Sequence, residues 1–149
     1  MKVLMICLGN ICRSPLAEGI LKHLCIQNNL KWEVDSCGTG SWHLGNSPDK
    51  RSQMIALENG IDIADQKARQ IKKSDLKKYD LLITMDADNY NMVKKLAEGE
   101  EVNKIYLLNN FAKPGRNESV TDPYFDDALF GSVFQQIYTA CEAIIAKYS

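Results

Sequence analysis

Residues 3–15 read Val3-Leu4-Met5-Ile6-Cys7-Leu8-Gly9-Asn10-Ile11-Cys12-Arg13-Ser14-Pro15. Val3 to Cys7 is an unbroken apolar run, the pattern of a short strand covered on both faces. Gly9-Asn10 interrupts it. Ser14-Pro15 then predicts a helix start, with serine as N-cap and proline at the first helical position. Leu16, Ile20 and Leu24 recur at intervals of four, giving that helix one apolar stripe.

The rest of the chain repeats this alternation. Glu33 to Cys37 reads as a second strand ended by Gly38, and Ser47-Pro48 as another helix start, with Gly60 suited to its end. Leu81 to Thr84 reads as a third strand. A helix carrying Tyr90, Val93, Leu96 and Ala97 follows and stops at Gly99, and Lys104 to Leu108 is a fourth strand. Residues 109–127 read as irregular, and a last helix carries Val133, Ile137, Cys141, Ile144 and Tyr148. No repeat, linker or low-complexity tract divides the chain, so residues 1–149 are expected to form one domain. Strands and helices in alternation predict an α/β fold with a parallel sheet, whose ligand site lies at the carboxyl ends of the strands.

Composition narrows the function classes. At 149 residues, 45% hydrophobic and 25% charged, the chain is neither disordered nor collagen-like. No apolar run approaches the ~18 residues of a membrane span. A net charge of −1 gives no electrostatic reason for a nucleic acid or anionic membrane partner. Five cysteines, an odd number in a chain long enough to need no staple, argue against a disulfide framework. The apolar start is too short for a signal peptide and lacks a small-residue cleavage site, so a cytoplasmic protein with reduced thiols is expected.

The loop after the first strand carries the chemistry. Five residues separate Cys7 from Arg13, enough to curl into a ring of backbone N–H groups suited to a tetrahedral oxyanion. Gly9 permits the tight backbone, and the following helix aims its positive end at the same point. Arg13 can grip two anion oxygens with its planar fork. The helix end and Arg13 together favour a thiolate at Cys7, at the base of the cradle. An anion cradle with a nucleophile beneath it is what phosphoryl transfer onto sulfur requires.

Cys7-Leu8-Gly9-Asn10-Ile11-Cys12-Arg13-Ser14-Pro15 resembles the phosphate loop of the low-molecular-weight protein tyrosine phosphatases. Asp35-Ser36-Cys37-Gly38-Thr39, Lys67-Ala68-Arg69-Gln70, Met85-Asp86 and Asp122-Pro123-Tyr124 match the same family in order. The resemblance implies a four-stranded parallel sheet with helices on both faces, and hydrolysis of phosphotyrosine monoesters through a cysteinyl-phosphate, with no metal and no cofactor. It implies Cys7, Arg13 and Asp122 as catalytic residues, with Leu8, Gly9, Asn10, Ile11, Cys12 and Ser14 forming the phosphate-binding loop. Trp42 and Tyr124 match the aromatic walls of the substrate cleft, and Ser36 and Asp86 a supporting polar network. A reversible Cys7–Cys12 disulfide under peroxide is also implied. The partners implied are tyrosine-phosphorylated proteins and a cognate tyrosine kinase, met by a monomer.

The residues themselves agree in part. A carboxyl at the mouth of the cradle must protonate the leaving oxygen and later deprotonate water, and Pro123 restricts Asp122 to extended backbone. Asp126 and Asp127 compete with it on sequence grounds. Cys25 and Cys141 lie on helix stripes as small apolar fillers, and Cys37 is assigned no role.

Three features depart from the family pattern. Gln66 stands where many members have histidine, and Phe125 replaces the second of two adjacent tyrosines. Glu118 to Asp127 holds four acids and no base, against eight bases and four acids in residues 50–78. Arsenate reductases share the loop but need further cysteines downstream, and none lies between Cys37 and Cys141. Protein arginine phosphatases share it with threonine where Ile11 stands, which makes them the runner-up reading. Of the two histidines, His23 falls within the first helix, while His43 lies in a loop that can approach the site.

Overall fold

The computed structural model describes residues 1–149. Four strands, β1 (Lys2–Cys7), β2 (Glu33–Gly38), β3 (Leu81–Thr84) and β4 (Ile105–Leu107), form one sheet in the order β2-β1-β3-β4. Every neighbouring pair is parallel. The chain steps from β1 outward to β2 and then crosses back to β3 on the other side of β1. That reversal places the β1 carboxyl end, and the loop beginning at Leu8, at a switch point of the sheet, where α/β folds open a crevice for ligands.

The apolar β1 run is split by its pleat. Val3, Met5 and Cys7 point into the larger core, against α1 (Arg13–Gln27) and α6 (Phe130–Tyr148). Leu4 and Ile6 point into a smaller core with Leu76 of α3 (Lys73–Lys78) and Val93 of α4 (Ala87–Leu96). α2 (Lys50–Glu58) contributes Ala56 to the larger core, and α5 (Asn109–Ala112) packs beside α6. No helix is long and apolar enough to cross a membrane.

Several local expectations are corrected. The single α1 stripe was too narrow, since every residue from Arg13 to Leu21 is buried. This helix enters through the middle of the fold, touching the sheet, α2 and α6. Cys12, not Ser14, is the N-cap of α1, and Ser14 lies inside the first turn with its hydroxyl turned to the loop. Pro15 is tolerated there because first-turn N–H groups have no intrahelical partner. α2 starts after Asp49, whose carboxylate accepts from the Arg51 N–H, rather than at Ser47-Pro48. The short helices α3 and α5 have too few residues for a periodic signal, and α5 falls in a stretch expected to be irregular. A 3₁₀ turn, Gly99–Lys104, precedes β4. Gly38 does not end β2 but belongs to it. A Cβ there would lie 2.6 Å from the Leu8 carbonyl oxygen, so glycine is required by the close approach of the loop.

Candidate active site

The loop from Cys7 to Arg13 is held in shape by hydrogen bonds from four parts of the chain. Asn10 adopts a left-handed backbone (φ 57°), unusual for a residue other than glycine. Its backbone N–H thereby meets the Cys7 Sγ at 3.2 Å. Its side chain fixes this conformation on three sides. The Nδ2 group donates to Ser14 Oγ (2.8 Å) and Ser36 Oγ (3.0 Å), and Oδ1 accepts from the Arg69 N–H (3.0 Å). Ser36 Oγ donates its own hydrogen bond to the buried Glu18 carboxylate (2.7 Å), whose other oxygen is paired with Lys22. Asn10, Ser14, Ser36 and Glu18 are all buried, so this polar network is satisfied away from water, as its stability requires. Further along, the Thr39 and Gly40 N–H groups bond the Cys7 and Leu8 carbonyls, and the Asp49 N–H bonds the Ile11 carbonyl.

Ser14 Oγ lies 3.0 Å from Cys7 Sγ, so the sulfur has two hydrogen-bond partners, a hydroxyl and an N–H. The N–H donates to the sulfur, and the hydroxyl can do so when its proton is turned away from the Cys37 carbonyl. The backbone N–H groups of Leu8, Gly9, Ile11, Cys12 and Arg13 are bonded to nothing within the chain. Such a run of unpaired donors at a helix N-terminus is suited to an anion.

The Arg13 guanidinium is buried. Its Nη1 donates to Asp86 Oδ2 (2.9 Å) and to the Val120 carbonyl (3.0 Å), which fixes the plane of the fork. Asp86 is oriented in turn by the Asn89 N–H at the start of α4. Nη2, the other terminal nitrogen, lies 3.9 Å from Asp122 Oδ2. The other Asp122 oxygen accepts from the Tyr124 N–H (3.1 Å), and the side chain is half exposed.

These groups share a cavity of about 280 Å³. Cys7, Cys12 and Arg13 form its floor, and Leu8, Gly9 and Ile11 its near wall. Trp42, His43, Tyr124 and Phe125 line the mouth with Asp122. A space of this size sits at the small end for ligand pockets and can admit a single side chain. Asp126 caps the Ala128 N–H, and Asp127 is paired with Arg51 (2.6 Å). Neither lines the cavity, so of the three competing acids Asp122 alone faces Cys7 and Arg13 across it.

The thiols differ in character. Burial pushes the Cys12 thiol up to about 12, with the charges of Asp49 and Cys7 adding to it. Cys12 therefore stays a neutral thiol near neutral pH and places no second negative charge in the cradle. Burial also raises Cys25, Cys37 and Cys141, consistent with inert packing. The Cys37 carbonyl nevertheless accepts a long bond from Ser14 (3.4 Å).

The sequence reading singled out Cys7 to Ser14, Ser36, Trp42, Asp86, Asp122 and Tyr124, and the fold brings them together. It missed Glu18, the Val120 carbonyl and the role of Phe125 as lining. A lone glutamate four residues after a helix-opening serine carries no signal, and a backbone carbonyl carries none at all. Gln66, noted as a departure, donates from Nε2 to the Pro15 carbonyl (3.1 Å) at the back of α1, while its Oε1 is buried without a partner.

Residues 2–148 match the family model described as low molecular weight phosphotyrosine protein phosphatase. The low molecular weight protein-tyrosine-phosphatase YfkJ of Bacillus subtilis is 37% identical over 147 residues, covering 97% of this chain and 94% of that protein. The crystal structure of a protein tyrosine phosphatase from Entamoeba histolytica, with Hepes in its active site, superposes with a TM-score of 0.92 at 35% identity. It covers 99% of this chain and 96% of its own. The structure of DARP, a Drosophila arginine phosphatase, is similar to the same degree (TM-score 0.93, 35% identity, 100% of this chain and 98% of that one).

Proposed function

Because the chain belongs to the low molecular weight phosphotyrosine protein phosphatase family, and is thus a protein-tyrosine phosphatase, we propose that Cys7, Arg13 and Asp122 carry its hydrolysis. The observation that supports this reading is the convergence of the three on one cavity from opposite ends of the chain. The Cys7 thiolate attacks phosphorus while the loop N–H groups and the Arg13 fork hold the phosphoryl oxygens. The bond from phosphorus to the tyrosyl oxygen breaks, and the Asp122 carboxyl gives that oxygen its proton. In the second step the Asp122 carboxylate takes a proton from water as the water attacks phosphorus. The S–P bond breaks, and the returning thiolate is met by Ser14 Oγ and the Asn10 N–H. Every charge that develops lies beside a group already fixed in place, so little reorganisation accompanies the reaction. The steps need no metal or cofactor.

Trp42, Tyr124 and Phe125 around the mouth give a flat apolar ring surfaces to lie against, which suits phosphotyrosine better than the shorter phosphoserine. Phosphotyrosine, phosphoserine and phosphoarginine peptides assayed side by side with a chelator present test the assignment, and phosphotyrosine is expected to be turned over fastest. Within the same reading the protein works as a cytoplasmic monomer on tyrosine-phosphorylated proteins, a cognate kinase among them. Its five free cysteines fit a reducing compartment.

Cys12 has a second use in this reading. Peroxide converts the Cys7 thiolate to a sulfenic acid. The neighbouring Cys12 thiol then displaces its oxygen as water, giving a disulfide that thiol reductants reverse. Peptide mapping after peroxide is expected to find Cys7 joined to Cys12. In Cys12→Ser the same dose becomes progressively irreversible, as Cys7 proceeds to sulfinic acid. Equal recovery of both proteins leaves Cys12 as packing.

A phosphoarginine reading deserves its own test, because the arginine phosphatase fold is as similar as the tyrosine phosphatase one. Ile11 lines the cavity, and its side chain offers no polar atom. A guanidinium left unpaired against it loses roughly 1–3 kcal/mol, about ten- to a hundredfold in rate. Ile11→Thr is therefore expected to raise the ratio of phosphoarginine to phosphotyrosine turnover while keeping both activities. An unaltered protein that already prefers phosphoarginine overturns the tyrosine assignment.

A further inference from the structure

Residues 121–126, which carry Asp122, belong to no helix or strand. Such a segment is held by a few contacts: Thr121 shares two hydrogen bonds with the Gln136 amide of α6, and the Asp126 N–H bonds the Pro123 carbonyl. At its near end, the Val120 carbonyl accepts from Arg13 and the Val120 N–H bonds the Met85 carbonyl. At its far end stands Arg51, on the first turn of α2. Arg51 grips Asp49 with Nε (2.9 Å) and Nη2 (2.8 Å), the two-pronged arrangement that locks a guanidinium plane. Its free nitrogen, Nη1, reaches Asp127 at 2.6 Å. The same plane sits 5.6 Å from the centre of the Tyr124 ring and 4.6 Å from that of Phe130. One side chain thus touches the segment at Tyr124, the residue just beyond it at Asp127, and the first residue of α6. Its anchor, Asp49, is itself bonded through its N–H to the Ile11 carbonyl of the phosphate loop.

We propose that Arg51 is a positioning residue for general acid catalysis, which clamps the Asp122 segment to the phosphate loop and sets the distance from Asp122 to the leaving oxygen. This rests on the reading of Asp122 as the acid. Asp122 is anchored by a single bond, from the Tyr124 N–H, so a shift of Tyr124 moves the carboxyl directly. Acid catalysis is sensitive to such shifts, since a proton is passed only within hydrogen-bond reach. Asp127, 84% exposed at its side chain, serves as the far tether and not as a reserve acid.

The experiment compares kcat/KM for aryl phosphates whose phenols differ in acidity, from p-nitrophenyl phosphate to phenyl phosphate, in the unaltered protein, Asp122→Asn, Arg51→Met and Arg51→Lys. Arg51→Met is expected to lose about five- to twentyfold on phenyl phosphate and less than about threefold on p-nitrophenyl phosphate, a partial copy of Asp122→Asn. Arg51→Lys keeps the charge toward Asp127 but not the fork or the stacking, and is expected to recover only part of the loss. Inhibition by inorganic phosphate, which reads the cradle and not the acid, stays within about twofold of the unaltered protein in each Arg51 variant. Asp127→Asn removes one tether from the exposed side and gives a smaller loss of the same leaving-group dependence, so the proposal does not depend on Arg51→Met folding. A leaving-group dependence unchanged by Arg51→Met and Asp127→Asn, but steepened by Asp122→Asn, overturns this inference alone. No steepening in Asp122→Asn overturns the acid assignment, and this inference with it.

Discussion

Cys7→Ser is expected to abolish turnover, by on the order of 10⁴-fold or more, the scale that follows when a nucleophile is deleted. Phosphate binding, measured by calorimetry, is expected to survive. The difference arises because the cradle is built from backbone N–H groups and Arg13, none of which the substitution touches. The hydroxyl that replaces the thiol is still surrounded by Ser14 Oγ and the Asn10 N–H, but it is far weaker as a nucleophile. Arg13→Ala is expected to lose both turnover and binding. It also leaves the Val120 carbonyl without its donor and Asp86 without its charge partner, at a cost in stability of about 1–3 kcal/mol. Arg13→Lys does not rescue it. A lysine offers one point charge where the fork must meet Asp86, a carbonyl and two oxygens of the anion together. Near-native activity in Cys7→Ser sinks the thiolate mechanism.

Asp122→Asn is expected to slow substrates with poor leaving groups by ~10²–10⁴-fold, the usual worth of a general acid. Activated aryl phosphates suffer less, because their phenolates leave without a proton. The asparagine oxygen can still accept from the Tyr124 N–H, so the segment keeps its shape and the loss reports proton transfer. The slope of log kcat/KM against phenol pKa is the measurement. A uniform loss across leaving groups points to another acid, with Asp126 and Asp127 the next to test.

The fold was legible wherever a pattern was local and periodic. The apolar runs at Val3–Cys7 and Leu81–Thr84, the glycine after α2 and the α6 stripe each predict their element. Helix boundaries were less legible, for a physical reason. Ser-Pro pairs resemble helix starts, but the actual starts are decided by which group reaches the free N–H. At α2 this is the carboxylate of Asp49, and at α1 the serine hydroxyl is taken instead by the nucleophile. The site was legible at Cys7 to Ser14 because those residues are contiguous, and at Ser36, Asp86 and Asp122 through the family resemblance. Glu18, Val120 and Arg51 were not legible. Each acts through a contact whose partner lies far away in sequence, at Ser36, Arg13 and Asp127 respectively. Phe125, which stands in place of a second tyrosine, lines the cavity mouth and is 93% exposed.

The bond from Arg13 to the Val120 carbonyl carries a consequence for biosynthesis. The nucleophile leaves the ribosome early, whereas Val120 and Asp122 emerge more than a hundred residues later, and α6, which buries much of α1, follows them. A nascent chain thus displays the thiol long before the groups that seat Arg13 and supply the acid. The seat of Arg13 and the facing carboxyl can form only once the chain beyond Val120 has been made, so the order of residues places the completion of the cavity late in synthesis.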